Sequence, residues 1–276
     1  MNIIEFISNN MSTFLALVGT GVFAGVLAGL LGVGGGIVIV PVLFFLFQSF
    51  GVSPESAMVV ATATSLATII PTSISSIRSH NKKGNVDFAL LKRWAAFIFI
   101  GVMAGSWLVT RVDGTLLTAL FGIIATLSAL NMLFRTGKSA LFQQLPGKAG
   151  QTVMGICIGF FSSMVGIGGG TISVPLLTIY NYPAHKAVGT AAAIGLIISL
   201  PGALTMLALG STPADAPVGT YGLVNLIGFI CIVPLTVLFA PVGASLAAKL
   251  DAAKLKKVFA IVLLFTGVRM LVQLAL

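Results

Sequence analysis

The chain reads Gly32-Val33-Gly34-Gly35-Gly36-Ile37-Val38-Ile39-Val40-Pro41 near its start and Gly166-Ile167-Gly168-Gly169-Gly170-Thr171-Ile172-Ser173-Val174-Pro175 past its middle. The two stretches match in their leading glycine, their three consecutive glycines and their closing proline, and both lie in long apolar surroundings. Each glycine inside a helix costs roughly 1 kcal/mol relative to alanine, so a run of three ends the helix. Without a Cβ, the same run lets backbone approach another group closely. Broken backbone at membrane depth is tolerated only where protein or a watery cavity surrounds it. The paired breaks therefore predict a solute site at the centre of a membrane bundle.

Composition agrees with a membrane setting. Of 276 residues 57% are hydrophobic and 8% charged, whereas a soluble domain carries about 25% charged residues. So few charges cannot cover a water-facing surface. The net charge of +9 does not point to nucleic acid, because the basic residues lie in short loops between apolar runs, where the positive-inside rule places them. Cys157 and Cys231 fall within apolar segments and read as small buried hydrophobes, not as a disulfide or metal pair. No cofactor or metal is expected. Met1 to Ser12 holds Glu5 and no Lys or Arg, so the first apolar run is expected to be a permanent span and not a cleaved signal. The long unbroken runs exclude the short alternating segments of a membrane β-barrel.

Ten apolar segments stand out, at 13–31, 36–50, 56–77, 93–110, 115–134, 151–166, 170–181, 187–209, 219–241 and 255–275. The second and seventh reach only about 22 Å and 18 Å, against a hydrocarbon core near 30 Å, so they are short crossings or re-entrant half-helices. Charge arbitrates. If both cross and the loop with Arg78, Lys82, Lys83, Lys92 and Arg93 is cytoplasmic, only Arg111 and Arg269 of the 15 basic residues lie outside. If both re-enter, Lys186, Lys249, Lys254, Lys256 and Lys257 join Arg111 outside. The bias favours ten crossings, with both termini on the non-cytoplasmic side. Five spans per half is an odd number, so the second half enters the membrane upside down.

The expected fold is thus an all-α integral membrane protein of about ten transmembrane or half-transmembrane helices. These form two inverted repeats of five, residues 1–135 and 151–276, joined by a cytoplasmic linker at 136–150. Ala63-Thr64-Ser65 corresponds to Gly189-Thr190-Ala191, and Asn131-Met132-Leu133 to Arg269-Met270-Leu271. Paired helix interruptions in inverted repeats point to a transporter's site.

A short helix that starts after a glycine turn offers free N–H groups and a partial positive charge, and such ends bind anions. In the inverted arrangement the helices after Gly36 and Gly170 start from opposite leaflets and meet near the midplane. The candidate substrate-binding residues are Gly34, Gly35, Gly36, Gly168, Gly169 and Gly170, with the hydroxyls of Thr64, Ser65, Thr171 and Thr190. Two plainer roles compete. Gly25, Gly29 and Gly159 also have the spacing of small-residue helix packing, and hydroxyls in spans bond to their own backbone. Arg78 and Arg269 are candidates for attracting an anion, against roles as interface anchors. His80 and His185 read as solvated loop residues. Glu5, Glu55, Asp87, Asp113, Asp215 and Asp251 all avoid the middle of a span. Coupling through an intramembrane carboxylate is therefore not expected: transport is uncoupled or takes its proton on the anion. No acid, base or metal constellation in the spans suggests an enzyme, and no strand–helix unit suggests nucleotide binding.

The doubled glycine signature, Ala63-Thr64-Ser65, Ala187-Val188-Gly189-Thr190 and Gly84-Asn85-Val86-Asp87 resemble the sulfite exporter TauE/SafE family, also called the toluene sulfonate uptake permease family. The resemblance runs from about Gly21 to Leu271. It implies a multi-pass carrier of the cell inner membrane that exports small sulfur-containing anions such as sulfite, thiosulfate or C2–C3 organosulfonates, for example sulfoacetate. Ala191 stands where the second repeat of the family often has serine. A passive anion channel and a membrane scaffold without transport are the alternatives. The oligomeric state is not legible.

Overall fold

The computed structural model describes residues 11–32, 34–134, 142–246 and 252–275. Among them lie ten helices: α1 Met11–Leu31, α2 Gly36–Ser49, α3 Pro54–Asn81, α4 Phe88–Val109, α5 Gly114–Phe134, α6 Lys148–Val165, α7 Gly170–Ile179, α8 Ala184–Leu209, α9 Leu226–Leu246 and α10 Ala252–Ala275. The chain is an all-α membrane protein. Helices α3, α4, α5, α8 and α9 are each long and apolar enough to cross a bilayer. Large apolar side chains such as Phe99, Ile123, Leu127, Leu238 and Phe265 face outward, while Trp94, Phe44 and Phe121 are fully buried. An apolar exterior around a packed interior is what a bilayer solvent selects.

Local chemistry sets the boundaries. Ser53 caps α3, accepting from the Ser56 N–H at 3.3 Å, with Pro54 opening the first turn. Asp87 caps α4, accepting from the Leu90 N–H at 2.9 Å. Short polar side chains satisfy orphan amides at helix starts in this way. The ninth expected segment is corrected most: α9 begins at Leu226, not near 219. Gly219 and Gly222 take left-handed backbone, and Thr220–Tyr221 pairs antiparallel with Val224–Asn225 as a small β1–β2 hairpin. Asn225 then starts the helix by accepting from the Gly228 N–H at 2.8 Å. Of the expected linker, residues 136–141 lie outside the described residues; Phe142 stacks on Tyr180 and its N–H donates to the Ile179 carbonyl.

The main packing pairs are α1 with α9, α4 with α6, α5 with α10, α3 with α8, α3 with α9, α4 with α8, α2 with α3 and α7 with α8. This set is unchanged when every helix is replaced by its counterpart five helices away. Small residues make the closest seams. Gly25 and Gly29 of α1 lie against α9, where a Cβ on Gly25 would sit 2.8 Å from the Thr236 Cα and one on Gly29 would run into the Ala240 carbonyl. Gly159 of α6 abuts the Ile98 carbonyl of α4 in the same way. For these three glycines the packing role holds.

Candidate functional site

The two glycine stretches form the sharp joints that the motif predicts. Gly32, Gly34 and Gly35 have φ of 66°, 70° and 80°, a left-handed run that side chains resist. It turns the chain from α1 into α2. The second joint needs one such residue, Gly166 at φ 69°, which ends α6; Gly169 then leads into α7 with right-handed backbone. The helices that follow have 14 and 10 residues. At about 1.5 Å per residue each is shorter than a 30 Å core. Neither start has a side-chain cap. The backbone itself takes one amide at each, the Val38 N–H donating to the Gly35 carbonyl at 3.0 Å and the Thr171 N–H to the Gly168 carbonyl at 3.5 Å, while a helix's other first amides have no intrahelical acceptor.

The joints touch. A Cβ on Gly36 would lie 2.5 Å from the Gly166 carbonyl oxygen and 2.9 Å from Ser65 Oγ, and one on Gly34 would lie 3.5 Å from the Gly168 Cα. Gly35 instead backs onto the Ala24 carbonyl of α1. The Ser65 hydroxyl donates to the Gly166 carbonyl at 2.7 Å, tying α3 to the second joint. The Ile69 side chain reaches both Gly34 and Gly36 and fills the space beside them.

The candidate hydroxyls separate into two groups. Thr64 Oγ1 accepts from the Asn225 N–H at 2.8 Å, and Thr190 Oγ1 accepts from the Asp87 N–H at 3.0 Å. Asn225 and Asp87 are the residues that start α9 and α4, so each threonine fixes the start of a helix in the opposite half. Thr171, by contrast, is buried and its hydroxyl has no hydrogen-bond partner among the described residues. So are Ser73, Ser199, Thr62 and Ser162. A buried polar group without a partner costs about 1–3 kcal/mol. Ser73 and Ser199 are 126 residues apart, as are Thr64 and Thr190. That shared offset was the available signal for them. A Cβ on Gly195 would lie 3.0 Å from Ser73 Oγ and 3.8 Å from the Gly169 amide nitrogen. The serine therefore borders the start of α7.

The charged candidates lie elsewhere. The Arg269 guanidinium is exposed and lies 4.1 Å over the Phe45 ring centroid of α2, a cation–π contact. Arg78 is exposed near the end of α3. His80 departs from the loop position expected of it: it lies in the last turn of α3, 2% exposed, with Nε2 2.8 Å from the Gly29 carbonyl oxygen. His185 is exposed in the first turn of α8. Asp87 also accepts from the Tyr182 hydroxyl. Burial pushes the Asp87 carboxyl up, but hydrogen bonds from Tyr182, Leu90 and Ala89 outweigh it and hold the group below its ordinary value. Asp215 accepts from the Ser56 hydroxyl at 2.6 Å and the Ser53 N–H at 2.8 Å, which hold its carboxyl down to about 2.

Two broken helices meeting inside an apolar bundle, with partnerless hydroxyls at the meeting point, are features of a multi-pass membrane transport protein. Comparison with known proteins agrees. The family model for Sulfite exporter TauE/SafE matches residues 17–270, and the chain belongs to that family. A probable membrane transporter protein of Haemophilus influenzae is 31% identical over 264 residues, covering 95% of this chain and all of the relative. One from Methanocaldococcus jannaschii is 31% identical over 202 residues, covering 69% of this chain and 71% of the relative. The probable membrane transporter protein YunE of Bacillus subtilis is 28% identical, covering 95% and 98%. No solved structure matches.

Proposed function

We propose that the protein exports a small sulfur-containing oxyanion across the cell inner membrane: sulfite, thiosulfate or a C2–C3 organosulfonate such as sulfoacetate. The observation that carries this reading is the contact between two uncapped helix starts, α2 and α7, beside the partnerless hydroxyls of Thr171 and Ser73. Amide ends carry a partial positive charge, and hydroxyls donate to sulfonate oxygens without adding a fixed charge. Gly34, Gly36, Gly168, Gly169 and Gly170 supply the backbone of the site, and Ile69 closes it. Ser65 positions the second joint, and Thr64 and Thr190 position the walls. In this reading residues 1–135 and 151–276 are inverted repeats around the linker 136–150, with both termini on the non-cytoplasmic side. The exchange pattern of helix packing supports it. A filled meeting point favours an alternating carrier over an open channel.

The test is flux of sulfite, thiosulfate, isethionate, sulfoacetate and sulfate into reconstituted vesicles, with Ser73→Ala and Thr171→Val as variants. Removing a partnerless hydroxyl leaves folding intact or strengthens it by up to about 1 kcal/mol. If those hydroxyls hold the solute, the apparent KM rises roughly ten- to hundredfold, since a hydrogen bond to a charged group contributes about 1.5–3 kcal/mol and each 1.4 kcal/mol is tenfold. Parental transport in both variants would remove them from the site. Absence of saturation and counterflow would favour the channel.

A further inference from the structure

Helices α3 and α9 leave a groove of about 400 Å³ between them on one side of the bundle. One wall is a single face of α3, Pro71, Ile74 and Arg78, continued by Lys82 at its C-terminal cap, at the three- and four-residue steps that align side chains along a helix. The other wall is Val237 and Pro241 of α9. Its floor is fixed. Pro241 cannot donate to the Val237 carbonyl four residues back, and the Ser75 hydroxyl takes that place at 2.9 Å. The groove is thus apolar toward the middle of the membrane and ends in two exposed cations near the end of α3. Among the described residues no carboxylate lines it. Ile74 is 37% exposed, so the groove opens sideways, toward lipid.

The 126-residue offset supplies an internal comparison. It places Leu204 opposite Arg78 and Ala208 opposite Lys82, so the matching face of α8 has the same apolar character without the cations. The basic pair is therefore not required by the shared helix packing.

We infer that this groove binds an anionic phospholipid, with the phosphate head at Arg78 and Lys82 and one acyl chain along Ile74, Pro71 and Val237. Basic pockets between membrane helices take lipid head groups of that kind. A small solute anion offers the same charge but no tail to cover the apolar length of the groove. The inference does not depend on which solute is transported.

The test measures lipid retention by the full-length protein in mixed phosphatidylglycerol and phosphatidylcholine nanodiscs, read by native mass spectrometry after detergent transfer. The parent retains phosphatidylglycerol at least about fivefold over phosphatidylcholine. Arg78→Gln with Lys82→Gln abolishes that preference while eluting as a monodisperse species, Arg78→Lys keeps most of it, and Leu204→Ala leaves it unchanged. Equal retention of both lipids by the parent, or an undiminished preference in the double variant, overturns the inference. So does displacement of the lipid by millimolar sulfoacetate or inorganic phosphate, which would make the groove a vestibule for small anions.

Discussion

Thr64 and Thr190 show how a residue type can be conspicuous while its role stays hidden. Both were legible as hydroxyls beside the glycine breaks. Their partners were not, because the amides they accept belong to Asn225 and Asp87, 161 and 103 residues away in the chain. Ser73 and Ser199 show the converse: in sequence only their shared 126-residue offset sets them apart, and burial without a partner among the described residues is what draws attention to them. The two groups are expected to respond oppositely to the loss of a hydroxyl. Thr64→Val and Thr190→Val each strand a backbone N–H at a helix start and are expected to cost roughly 1–3 kcal/mol of stability. A lowered midpoint in detergent thermal unfolding checks this, with Ser73→Ala as the unlowered comparison.

Among the elements, the short helices α2 and α7 were the most legible, because glycine runs and length alone defined their starts. The start of α9 was less so. Periodicity carries no mark of a two-residue hairpin, and Thr220-Tyr221 and Val224-Asn225 are apolar enough to read as helix until Gly219 and Gly222 are seen at positive φ. The first joint tolerates no added side chain, since a Cβ on Gly36 would press on the Gly166 carbonyl, the Ile69 side chain and Ser65 Oγ at 2.9 Å or less. Gly36→Ala is therefore expected to abolish flux or folded yield. Gly147→Ala meets nothing within 4 Å and is expected to stay within about 0.5 kcal/mol of the parent. Flux per folded protein, with yield measured by gel filtration, separates the pair.

For the whole molecule, the ten helices of the described residues were readable from charge and spacing, whereas the way they interlock was not. The proposed antiparallel halves put Ser211–Thr220 on the non-cytoplasmic side and Lys82–Gly84 in the cytoplasm. Single cysteines placed at Ser211 and Asn81, in a background with Cys157 and Cys231 replaced, are expected to react with an impermeant maleimide from outside and only after lysis, respectively. The opposite order would remove the geometric basis of two helix ends facing one anion.

The pairing of α1 with α9 also bears on how the chain is made. The glycine ridge of α1 meets its mate only after α9, far along the chain, has left the ribosome. Until then the early spans sit in the bilayer with their tightest contact unmade, exposed to mispairing. A chain truncated before Leu226 would leave α1 without the helix it packs against.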